Sequence, residues 1–189
     1  MEWRAASGYP ADVAAVHCRC ADLTILGQFE PAAAARRPRS EEVALLAGRP
    51  LLVVPYGGDF PTVGERVVVA WDAGREATRA VKDAMPLLAE AAQVTVMTID
   101  PRPSTAGHGA VPGADIARYL ARHGVKAAVE STGSAGIGAG DVLLSRAADL
   151  GADLLVMGAY GHSRVHEVLL GGATRTVLAS MTLPVLMAH

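Results

Sequence analysis

The chain has 189 residues, 51% of them hydrophobic, 19% charged and only 4% aromatic, with a formal net charge of -2. This fits one sizeable α/β core of Val, Leu, Ile, Ala and Met with room for an appendage, and gives no electrostatic ground for a nucleic-acid partner. No apolar run reaches the roughly 18 residues of a spanning helix and no basic-then-apolar leader opens the chain, so the expectation is a cytoplasmic protein with no membrane partner.

In chain order, Glu2-Trp-Arg-Ala reads as a short strand, followed by a helix introduced by Ala11-Asp12. Cys18 and Cys20 stand two apart, too close for a typical structural bridge, and read as reduced thiols. Ala21 to Gly27 is a strand, Val43 to Arg49 a helix, and Pro50-Leu-Leu-Val a second strand. From Gly64 the pattern alternates regularly. Arg66 to Trp71 is a Val-rich strand, and Gly74 to Ala91 has apolar residues at helical spacing, Ala77, Val81, Met85 and Leu88. Val94 to Ile99 is a strand closed by Asp100-Pro101, Asp115 to His123 a helix stopped by Gly124, and Val125 to Glu130 a third strand. A flexible loop, Ser131 to Gly140, precedes the helix Asp141 to Leu150. Asp153 to Met157 is the fourth strand, Ala173 to Ser180 a helix and Pro184-Val-Leu-Met the fifth strand. Strands alternating with helices predict an open five-stranded parallel sheet covered on both faces, with ligands at the carboxyl ends of the strands. Asp72 and the segment after Met157 both lie at such ends, which makes them candidate neighbours.

The first sixty residues echo the last forty. Ala21-Asp-Leu-Thr-Ile-Leu-Gly27 matches Ala152-Asp-Leu-Leu-Val-Met-Gly158, and Val43 to Val53 matches Val177 to Met187. A spacing of about 130 residues indicates a duplicated domain rather than a solenoid. The expected division is residues 1–60, a partial degenerate copy, and residues 61–189, a complete domain. The first copy lacks everything equivalent to Gly64 to Gly124, and Gln28-Phe-Glu-Pro31 replaces the glycine loop. Its strand at Glu2 therefore has no neighbour, and an unpaired edge invites association. The segment is expected to dock on the second domain, to be completed by another chain, or to be poorly ordered.

The fourth strand runs into Gly158-Ala-Tyr-Gly161-His-Ser-Arg-Val-His-Glu-Val-Leu-Leu-Gly171-Gly172-Ala-Thr174 and then a helix. Glycines let backbone approach an anion closely, and the orphan N–H groups of a helix N-terminus point at it, so phosphate is the natural ligand class. These residues resemble the universal stress protein family over Glu65 to His189, and over Met1 to Tyr56 as the last part of a preceding domain. The family motif is Gly, two residues, Gly, nine residues, Gly, then Ser or Thr; Gly158, Gly161 and Gly171 fit it, while Gly172 replaces the hydroxyl residue. Asp72 ends the first strand, where nucleotide-binding members carry an Asp on the nucleoside. Here it opens Asp72-Ala-Gly-Arg75, where members often read Asp-Gly-Ser.

The resemblance implies ATP or AMP as ligand, with Mg²⁺ or Mn²⁺ as companion ion, and a homodimer or tandem pairing through the last strand. The site it implies comprises Asp72, the backbone around Thr98, Gly158, Gly161, His162, Ser163, Gly171, Gly172, Ala173 and Thr174. Losing one hydrogen bond to a charged group costs about 1.5–3 kcal/mol, so Gly172 should weaken phosphate binding without abolishing it, and Thr174 is the nearest replacement hydroxyl.

His162 and His166 stand four apart, a helical spacing, with Glu167 adjacent, but no further ligands stand at informative positions, so no metal site is assigned. Asp72 could equally cap the helix beginning near Gly74. No nucleophile elbow, Walker lysine or spaced carboxylate pair supports an enzyme. The competing classes are a flavodoxin-like flavin protein, with Tyr160 as the only aromatic in the loop, and an interaction module in which the glycines merely shape a turn.

Overall fold

The computed structural model describes residues 2–30, 38–101, 111–161 and 172–189. Seven strands form one sheet in the order β1-β2-β7-β6-β3-β4-β5. They are β1 (Thr24–Gly27), β2 (Leu51–Val54), β3 (Arg66–Ala70), β4 (Gln93–Ile99), β5 (Ala127–Thr132), β6 (Leu154–Gly158) and β7 (Val185–Ala188). The helices are α1 (Pro10–Cys18), α2 (Ser40–Ala47), α3 (Arg75–Glu90), α4 (Ala114–Arg122), α5 (Ala139–Asp149) and α6 (Gly172–Ser180).

The five strands expected from Gly64 onward are present and mutually parallel, in the order β7-β6-β3-β4-β5. The expectation of a five-stranded parallel sheet is nonetheless corrected. β1 and β2, a parallel pair, join β7 through an antiparallel β2–β7 contact, which makes the sheet seven-stranded and mixed. Of the three fates foreseen for the N-terminal segment, the chain shows docking. The last strand makes its pairings within the chain: β7 pairs with β6 on one side and β2 on the other. The strand expected at Glu2 does not form: residues 2–7 are irregular and exposed, with no neighbouring strand to supply hydrogen bonds.

Alternation along the strands sorts the core into two layers. Val68, Met97, Leu155, Met157, Val185 and Met187 pack under α1, α2, α5 and α6 on one face. Val67, Val69, Val94, Val96, Leu154, Val156 and Leu186 pack under α3 and α4 on the other. The two-residue period fixes which side chain meets which layer, so a one-residue slip in any central strand would exchange the layers.

Two polar clamps set the register. At the opposite end of the sheet from the strand-end loops, the Asp153 carboxylate accepts from the backbone N–H groups of Gly64, Glu65 and Arg66 at 3.0, 3.1 and 2.9 Å. Burial, the largest influence, pushes this carboxyl up, but those donors together with the Thr62 hydroxyl outweigh it, and its pKa falls below the ordinary value. At the junction of the N-terminal segment, buried Gln28 donates through Nε2 to the carbonyls of Leu178 and Ala179 at 2.8 and 3.3 Å. Its Oε1 accepts from the Tyr56 N–H at 3.3 Å. The last-turn carbonyls of α6, which a helix cannot satisfy itself, thus hold the end of β1.

Candidate functional site

The parallel strands send the loops after β3, β4 and β6 to the same end of the sheet, and there a cavity of about 330 Å³ opens. Trp71 and Asp72 follow β3 on one wall; Met97 and Ile99 of β4, with Met157 and Leu143, give it an apolar lining. Gly158 and Gly161 lie at the end of β6, and Gly172, Ala173 and Thr174 are the first residues of α6. α5 also begins here, at Ala139, and α3 contributes Ala77 from its first turn. Three helices therefore start at one cavity, each turning the positive end of its dipole toward it.

Six of the expected site residues thus meet in space: Asp72, Gly158, Gly161, Gly172, Ala173 and Thr174. Thr98 does not join them. Its fully buried side chain bonds Ser131 Oγ at 2.7 Å, and strand alternation turns Met97 and Ile99 to the cavity instead. The alternation around Thr98 was the available signal for that pair. His162, Ser163 and Gly171 lie outside the described residues.

The glycines serve different needs. A Cβ at Gly158 would lie 2.6 Å from the Ala77 nitrogen and 2.7 Å from the Glu76 carbonyl carbon, so α3 can approach β6 only over a glycine. At Gly161 a Cβ would meet Glu76 Oε2 at 3.2 Å and Asp72 Oδ2 at 3.4 Å, which leaves it in the gap between a carboxylate wall and the cavity. Among the described residues, nothing lies within 4 Å of a Cβ placed on Gly172. Asp72 Oδ1 accepts from the Gly74 N–H at 2.8 Å, just ahead of α3 rather than as the expected cap, since Gly74 is the residue at the cap position; Asp72 also lines the cavity. Neighbouring Glu76 is pushed up by burial, yet its own backbone N–H and Arg75, whose Nη2 lies 3.1 Å away, hold its pKa below the ordinary value.

The turn after β6 is pinned on three sides. Ala159 N–H donates to Ala188 O at 2.8 Å, His189 Nδ1 meets Ala159 O at 2.9 Å, and Tyr160 N–H donates to Thr174 Oγ1 at 3.1 Å. The Thr174 hydroxyl therefore accepts a loop N–H, so a phosphate could use only its proton. Tyr160 has a left-handed φ of 57°, as do Ala73 after β3 at 61° and Asp100 after β4 at 44°. Each such residue without glycine's freedom costs on the order of 1–3 kcal/mol, and strain of this kind gathers at ligand sites. The sequence carried no sign of it, because none of the three is a glycine.

A doubly wound α/β sheet with its ligand cavity at the carboxyl ends of the strands defines the class of the protein. The comparisons narrow it. The model of the universal stress protein family matches residues 64–189. A universal stress protein from Archaeoglobus fulgidus DSM 4304 is 18% identical, with 88% of this chain and 60% of that chain covered at a TM-score of 0.64. A protein of Pseudomonas aeruginosa UCBPP-PA14, described as a member of the same family, is 19% identical over 94% of this chain and 65% of that one at a TM-score of 0.57. A functionally unknown protein from Pseudomonas aeruginosa PAO1 is 18% identical over 96% of this chain and 68% of that one, also at 0.57. The chain spans less than two thirds of the first two. No curated protein matches it. The chain belongs to the universal stress protein family.

Proposed function

We propose that the chain binds an adenine nucleotide, ATP or AMP, at the carboxyl ends of β3, β4 and β6, in a stress response. The observation that carries this is the meeting of Asp72, Gly161 and the first turn of α6 around one apolar-lined cavity. A flat base suits Met97, Ile99 and Met157; the Asp72 carboxylate suits a ribose hydroxyl, and the N-terminus of α6 suits phosphate. Among the described residues no group of three or more His, Cys, Asp or Glu could hold a metal ion. Mg²⁺ or Mn²⁺ would arrive on the nucleotide's own phosphates. The lining supplies binding groups, and the role assigned to it is binding without catalysis.

The N-terminal residues are, on this reading, a partial second domain whose β2–β7 pairing stands where two whole domains would pair. The matching registers support it: Gly27 lies opposite Val54 as Gly158 lies opposite Ala188. A cytoplasmic setting fits the two free cysteines, Cys18 and Cys20.

One observation favours a second reading, an interaction module of the same fold. The approach of α3 explains Gly158 without any ligand. Calorimetry with ATP and AMP, in Mg²⁺ or Mn²⁺, separates the two. Saturable binding that Gly161→Trp abolishes while the melting temperature holds supports the nucleotide site. No binding to the wild-type protein leaves the module.

A further inference from the structure

A second cavity, about 650 Å³, lies where the N-terminal segment meets α6. Its charged groups are oddly unmatched. Glu41, in the first turn of α2, keeps Oε2 buried with no hydrogen-bond partner. Arg39 and Arg175 also line the cavity, and neither pairs with a carboxylate among the described residues. Arg39 instead covers the Phe29 ring at 4.8 Å. Glu42 is already engaged, accepting from the Tyr9 hydroxyl at 2.8 Å. Glu41 is only partly buried and borders the cavity, and opposite charges that border one space without bridging it leave room for a ligand carrying both signs. Three of the chain's eight aromatic residues, Phe29, Tyr56 and Tyr160, line the same space, in a protein that is only 4% aromatic.

We propose that this cavity binds a free α-amino acid with a large apolar side chain, its ammonium on Glu41, its carboxylate on Arg175 and Arg39, and its side chain among Phe29, Tyr56 and Tyr160. The site does not depend on the nucleotide reading, since it stands on the other side of Tyr160 and uses different groups. Both ends of the ligand are required: the carboxylate alone meets a buried anion, and the ammonium alone meets two cations. Charge-assisted hydrogen bonds from each end give the selectivity.

Calorimetric titration of the whole chain with L-phenylalanine tests it, beside 3-phenylpropionate, which lacks the ammonium, and phenethylamine, which lacks the carboxylate. The expected result is saturable one-site binding of L-phenylalanine, with both analogues weaker by roughly tenfold or more. Glu41→Gln should weaken L-phenylalanine by about tenfold without lowering the melting temperature, because it removes an unsatisfied buried anion. Arg175→Ala should weaken it while phenethylamine, relieved of one cation, binds at least as tightly as before. Three results would each overturn the proposal: no saturable binding to folded wild-type protein, phenylpropionate binding as tightly as L-phenylalanine, or L-phenylalanine affinity indifferent to both substitutions.

Discussion

Residues 21–27 and 152–158 are nearly the same sequence in two different surroundings, and the surroundings decide what each residue is for. In the second segment Asp153 gathers three backbone N–H groups from the start of β3, Val156 is fully buried, and Gly158 lets α3 pass. In the first, no strand lies beyond β1, which ends the sheet. Asp22 is exposed, Ile25 is 64% exposed, and a Cβ on Gly27 would meet nothing within 4 Å. The contrast shows that β3 and α3, which flank β6 and not β1, are what turn a strand with a terminal glycine into one wall of a cavity. The N-terminal segment keeps its place in the sheet through β2 and Gln28 instead.

Paired substitutions sharpen this contrast, and the largest effect belongs to the glycines. Gly158→Ala should cost about 3 kcal/mol, since its Cβ would press on backbone atoms that cannot rotate away. Gly27→Ala should stay within about 0.5 kcal/mol. Urea denaturation reads both, and equal losses would undo the comparison. Next comes burial. Val156→Ala should lower stability by about 2 kcal/mol, whereas Ile25→Ala should leave it nearly unchanged.

A smaller effect is expected from the aspartates. Asp153→Asn should cost about 1.5 kcal/mol at neutral pH and Asp22→Asn almost nothing. Because the Asp153 carboxyl is held below its ordinary value in the folded chain, its contribution is present above the ordinary carboxylate range. It is lost as the pH falls through the lowered value. The acid limb of the stability profile should therefore flatten in Asp153→Asn alone.

The smallest effect concerns Tyr160. Burial first, and then Glu41, push its phenol up to about 12. The unfolded chain gives up this proton near 10, so Tyr160 should cost stability as the pH rises from 10 towards 12. Ultraviolet titration should show a tyrosine ionising near 12, beside Tyr9, which its bond to Glu42 also holds above the ordinary value, and Tyr160→Phe should remove the step near 12. Early titration of all four tyrosines would place the ring in solvent.

The sequence was most legible where one local rule decided the outcome. Apolar alternation and helical spacing located β3, α3, β4 and β6, and the Asp72 and glycine positions pointed to strand ends that the parallel order brings together. The N-terminal segment was harder, because pairing across a sheet is not local. Pro50 to Val53 reads as a strand from its own residues, but nothing in it states that its neighbour is β7, running the other way. Glu2 to Ala5 failed for the related reason that strand propensity without a partner makes no strand. The end of β4 around Thr98 was legible as a strand end, but which of its side chains face the cavity follows from the two-residue period, which gives Met97 and Ile99. The strained Tyr160, with its N–H on Thr174, left no composition signal at all.

The most direct test of the central claim is a crystal structure of the chain grown with ATP and Mg²⁺. The account predicts adenine against Met97 and Ile99, ribose beside Asp72, and phosphates at Gly161 and the N-terminus of α6. Nucleotide bound elsewhere, or a cavity empty at saturating ATP, would contradict it.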